Sequence, residues 1–141
     1  DADGFSGQCL DPGGLVRACG TALARSNVDA ADIDAVVWAP QGNAQDRKVL
    51  LALERLAGAR AGSIPLIATS MNTGTIETAS AVMALAAMLE SIRAGGGIWP
   101  QRTGLPDLDS RPAGRAERIL ALGSTDLGYN FAVILNAGAI S

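Results

Sequence analysis

The sequence contains no histidine among its 141 residues. Imidazole-based acid–base catalysis and His-ligated metal centres are therefore excluded within this chain. Cysteine is nearly as scarce. Cys9 and Cys19 are the two thiols, too few for a disulfide framework or an all-cysteine zinc site. With so little cysteine, a cytoplasmic setting is the simplest reading. Lysine occurs once, at Lys48, and the arginines are scattered. Eleven basic side chains against fourteen acidic ones leave a net charge of −3. Without a basic patch, neither nucleic acid nor an anionic membrane is expected as a partner. No apolar run is long enough to span a bilayer. The chain opens at Asp1 without Met or a signal-peptide pattern, which predicts a processed, excised or trimmed chain.

What is present is a 48% hydrophobic composition, enough for a packed core and too much for a disordered tail. The length suits one domain over residues 1–141, or half of a larger one. Asp11-Pro12-Gly13-Gly14 is a turn that starts a helix. Leu15, Val16, Cys19 and Leu23 recur at helical spacing to about Arg25. Ile33 to Trp38 reads as a buried strand. A loop over Pro40 to Gln45 leads to Asp46, a candidate cap for a second helix striped by Val49, Leu50, Leu53 and Leu56. Ile64 to Ala68 reads as a strand, with Pro65 at its start or on an edge. A third helix is expected from Thr75 or Thr78 to about Arg93. Its apolar residues surround nearly the whole circumference, so it is expected to be buried on most sides. Gly95-Gly96-Gly97 ends it. Ile98 to Leu105 is extended and Pro106 to Ala116 is a polar loop. Arg118 to Leu122 and Asn130 to Leu135 form a closing hairpin. The order predicts a layered α/β fold with a buried central helix.

Few residues offer chemistry. Cys9 lacks the helix start or neighbouring His that activates a thiol, and Cys19 falls on the apolar stripe of the first helix. Asp107 and Asp109 could pair as carboxylates, but a solvated loop beside Arg102 and Arg111 is the simpler account. Gly95 to Gly97 follows a helix instead of preceding one, so it is a helix stop and not a phosphate loop. Asn130 either bonds backbone groups across a turn or is ordinary hairpin chemistry. Both readings stay open.

Taken in order, these blocks resemble the C-terminal half of a β-ketoacyl synthase of the thiolase superfamily. Gly14-Leu15-Val16-Arg17-Ala18 through Ala22-Leu23-Ala24 is similar to that family's Gly-Leu-x-x-Ala segment. Ile33 to Trp38 is similar to the strand that precedes its His-Gly-Thr motif. Thr69 to Leu89 resembles its Lys-x-x-x-Gly-His-Thr segment and Ala-rich helix. Gly123 to Leu135 resembles its glycine-rich turn, with Gly128 and Asn130 at matching positions. The departures are at the catalytic positions. Pro40 or a neighbour stands at the first catalytic His. Ser70, Gly74 and Thr75 stand at the Lys, Gly and second His. Ser124, Thr125 and Asp126 replace the Phe-bearing gate. In the family the two imidazoles donate to the thioester oxygen, and losing one such donor costs about 10²–10³ in rate.

A ketosynthase-like chain without these residues is most similar to the chain length factor, the β subunit of type II polyketide synthases. The resemblance implies a thiolase-like half fold completed by a companion chain that carries the N-terminal half. It also implies pairing with an active ketosynthase α subunit and contact, through that complex, with an acyl carrier protein and its polyketide. The implied role is to shape the polyketide tunnel, with no catalytic, cofactor-binding or metal-binding residue in this chain. The alternative is a divergent condensing or acyl-transferring enzyme that uses a Cys from the companion chain, with Thr75 or Asn130 as donors. A third reading is a structural or binding module with no acyl substrate.

Overall fold

A computed structural model describes residues 2–3, 11–38, 44–68, 116–125 and 128–136, together with 86, 89 and 90. The rest of the third helix, the extended piece over 98–105, Cys9, Pro40, Ser70, Gly74, Thr75, Gly95 to Gly97, Asp107, Asp109 and Asp126 lie outside the described residues.

The first helix, α1, spans Gly13–Ser26 and buries Leu15, Ala18, Cys19, Ala22 and Leu23, the i, i+3, i+4 rows of a one-sided helix. Pro12 precedes it and has no side-chain hydrogen bond to give, so Asp11 Oδ1 accepts from the Gly13 amide at 2.9 Å instead. At the other end Asn27 takes the left-handed conformation, with φ of 51°. The Asn27 amide donates to the Ala24 carbonyl and the Val28 amide to the Leu23 carbonyl. This paired closure satisfies two orphaned carbonyls of the last turn.

Strand β2, Ala35–Trp38, has all four residues buried. That pattern requires cover on both faces, as expected of a central strand between parallel neighbours. Helix α2, Ala44–Ala57, then crosses to strand β3, Leu66–Ala68, which pairs parallel with β2. Asp46 is inside the first turn of α2 and buried, not the cap read from its position in sequence. The strand begins at Leu66, just after Pro65, whose carbonyl accepts from the Val36 amide at 2.9 Å. The expected start at Ile64 is thus two residues early, since Pro65 has no amide for a ladder.

Strand β4, Arg118–Ser124, lies parallel to β2 on its other side, and β5, Asn130–Asn136, closes an antiparallel hairpin onto β4. With β1, Ala2–Asp3, on β5, the described sheet has the order β1-β5-β4-β2-β3. The fold is mixed α/β. Val36, Trp38, Leu66, Leu120, Leu122 and Ala132 form one core with the apolar stripes of α1 and α2. Strand residues alternate between faces, so Ala35, Val37, Ile119 and Ala121 point away from both helices. They are nonetheless buried.

Candidate functional site

Open parallel sheets collect ligands outside the carboxyl ends of their strands, where the chain order reverses. Here the reversal is at β2. The chain leaves it through α2 to β3 on one side, while β4 lies against the other. The strand ends at this point are Trp38 and Ser124, and Asn130 stands directly opposite Ser124 in the hairpin register. Alternation places Trp38, Ser124 and Asn130 on the helix side of the sheet, because Val36, Leu122 and Ala132 are in the helix-side core.

Lys48 enters this layer from α2. Its side chain is 1% exposed, and its Nζ donates to Ser124 Oγ at 2.9 Å across 76 residues of chain. Ser124 itself is half-buried. Asn130 is 1% exposed; its Nδ2 donates to the Gly128 carbonyl at 2.9 Å. Asn130 Oδ1 and Trp38 Nε1 are buried and have no hydrogen-bond partner. Buried polar atoms are almost always paired, so two orphans in one layer mark it as unusual. Beside it the Gly128 amide donates to the Thr125 carbonyl, with Gly128 at φ of 84°, a conformation suited to glycine.

The remaining cysteine has no part here. Cys19 is fully buried in the core and its thiol is pushed up to about 12, chiefly by burial. It is therefore a neutral core group. An apolar recess elsewhere, lined by residues that include Leu23, Ile33, Val36, Leu53, Ile64 and Leu120, offers no polar side chain to orient a ligand. Among the described residues, no three His, Cys, Asp or Glu side chains cluster as metal ligands.

Of the residues singled out from sequence, the structure gathers Asn130 and Ser124 into this layer. Asn130 makes a local bond, its Nδ2 donating to the carbonyl of Gly128 two residues before it. Lys48 was not foreseen as a site residue. The available signal was that one lysine appears in a chain that otherwise uses arginine, and that it adjoins the apolar stripe of α2.

No family model matches this chain. No curated protein matches it either. A solved structure does, described as a type II polyketide synthase acyl-carrier protein in complex with its ketosynthase bound to the hexaketide. The match has a TM-score of 0.78 at 19% identity and covers 90% of this chain and 33% of that chain. The likeness is one of fold. This chain spans about a third of the chain it matches.

These findings correct the identification made from the order of motifs. That reading took the chain for the C-terminal half of a β-ketoacyl synthase, most similar to a chain length factor. No family model or curated relative supports it, and the assembly matched in fold is described as a carrier protein with its ketosynthase. The tunnel-shaping role and the divergent condensing enzyme both depended on that identification and are withdrawn with it. The companion chain carrying an N-terminal half has no support either. The physical reason is that loose apolar spacings report a scaffold, whereas function resides in particular side chains on it. No helix among the described residues is long and apolar enough to cross a membrane.

Proposed function

We propose that this protein works within a polyketide-forming assembly and does so in contact with a ketosynthase. The supporting observation is the fold likeness over 90% of the chain to part of an assembly described as an acyl-carrier protein with its ketosynthase. Residues 1–141 act here as one domain. Its finer architecture is thiolase-like layering, in which the sheet is covered on both faces. The burial of Ala35, Val37, Ile119 and Ala121 on the face away from α1 and α2 supports that layering.

The test is direct binding. The full chain, mixed with a type II ketosynthase and with its acyl carrier protein in separate titrations, is followed by size-exclusion chromatography and calorimetry. The expected result is a complex with the ketosynthase at micromolar concentrations, the range of a standard protein interface. A chain that stays folded and binds neither protein at about 100 µM would refute the proposal.

A further inference from the structure

We infer that the outer face of the α1–α2 layer is a docking surface for an acidic protein, one that presents Asp and Glu side chains at the contact. The inference stands apart from any ketosynthase partner. The arginines are scattered in sequence, but the fold gathers four of them. Arg17 and Arg25 are exposed on α1, and Arg47 and Arg55 are exposed on α2. Both helices bury their apolar stripes in one core and pack against each other, so their outer sides form one surface. Helix α1 contains no acidic residue. On α2, Asp46 is buried, which leaves Glu54 as the exposed carboxylate of the two helices. The whole chain carries a net charge of −3, so this face is opposite in sign to the molecule that bears it.

The arginines are regularly placed. Eight residues separate the two on each helix, a rise of about 12 Å. The axes of packed helices lie about 8–10 Å apart. Arg25 and Arg55 are in the last turns, where a cation complements the carbonyl end of its helix. Arg47 has no such explanation. It is the fourth residue of α2, at the end where the helix dipole disfavours a cation. Among the described residues neither Arg47 nor Arg55 is in an ion pair.

The side-chain chemistry favours carboxylates on a protein. A guanidinium meets a carboxylate through two parallel hydrogen bonds and is more weakly hydrated than an ammonium, which suits it to protein interfaces. The single lysine is buried, so the exposed cations of this face are all arginine. Glu54 stands among them, and half-buried Leu51 adds an apolar spot on the same helix. A protein surface can answer both with a cation and an apolar side chain. A phosphate polymer or an anionic bilayer presents unrelieved negative charge, which Glu54 and the net charge of −3 both oppose.

The experiment uses the full chain with fluorescent poly-L-glutamate as the probe. Anisotropy is read at ionic strengths of about 10 and 150 mM, where the screening length is about 30 and 8 Å. The expected result is saturable binding at the lower salt that weakens at least about tenfold at the higher. Arg47→Gln and Arg55→Gln together should weaken it about tenfold, whereas Glu54→Gln should strengthen it about threefold. Arg118→Gln, on β4 and paired with Asp32, should change it less than about twofold. All four positions are exposed, and circular dichroism checks that each variant is folded. No binding up to about 100 µM probe at the lower salt overturns the inference. So does an Arg47, Arg55 double variant that binds like the wild type, or an equal loss in Arg118→Gln. Tighter binding to a DNA duplex or to phosphatidylserine vesicles than to polyglutamate would assign the face to phosphates instead. A salt-sensitive dimer of the chain alone, abolished by the same double variant, would assign it to a second copy.

Discussion

Gly123 is a sharp test of the packing described above. It lies opposite Phe131 in the β4–β5 ladder, and the Phe131 ring covers it. A β-carbon added at Gly123 would collide with Cε1 and Cζ of that ring and lie 3.2 Å from Cδ1. Two opposed effects then compete. Replacing glycine in a strand restricts the unfolded chain and favours folding by about 0.4–1 kcal/mol. Forcing a methyl into an occupied space costs about 1–3 kcal/mol. The collision involves ring atoms of the directly paired residue, not the end of a long flexible chain, so the steric cost should win. Gly123→Ala is expected to destabilise by about 1–2 kcal/mol net. The assay is urea unfolding followed by circular dichroism, with midpoints compared at equal slope. The control is the same substitution in a Phe131→Ala background, where the space is open. There Gly123→Ala should be neutral or stabilising by up to about 1 kcal/mol, so the cycle reports coupling of the two sites. The reasoning fails if Gly123→Ala leaves the midpoint unchanged in the wild type, or if its cost is the same in both backgrounds.

Three further residues give testable outcomes. Cys19, with its thiol raised from 9.0 to about 12 by burial, should resist alkylation at pH 8 until the chain unfolds, as peptide mapping would reveal. Because the folded thiol keeps its proton where the unfolded one has lost it, its contribution to stability is intact below pH 9 and declines toward pH 12. The slope is at most about 1.4 kcal/mol per pH unit, and Cys19→Ala should remove this component from a stability–pH curve. Asp34 Oδ2 accepts from the Glu117 and Arg118 amides at 3.0 and 2.9 Å, which fixes the entry to β4 beside β2. Asp34→Ala should cost about 1–3 kcal/mol in chemical denaturation, and a change below 0.3 kcal/mol would show those bonds to be idle. At Asn27, with φ of 51°, Asn27→Ala should lower stability by about 1 kcal/mol while Asn27→Gly holds or raises it, read from thermal midpoints.

Much of the architecture was legible before any coordinates. The stripe of Leu15, Cys19 and Leu23, the unbroken apolar run at β2 and the hairpin over 118–136 are local patterns, and each formed as its period required. Boundaries were less legible. Asp46 looked like a cap and is an interior first-turn residue, because the start of α2 depends on residues before it as well. The functional identification failed for a related reason. Spacings of Gly, Leu and Ala are shared by many α/β layers, so they carried scaffold information and were read as family information.

The sequence by itself determined which side-chain chemistries are available and, among the described residues, which segments are helix or strand, since those follow from side-chain inventory and local periodicity. It determined that imidazole catalysis has no place in this chain, whatever its fold. Only the tertiary structure decided that the single lysine would reach a serine 76 residues away, with Asn130 buried opposite that serine. That meeting requires β4 to insert beside β2 and α2 to lie across them. Non-local pairing of this kind is set by the summed burial of the whole core, and no local window of the sequence contains it.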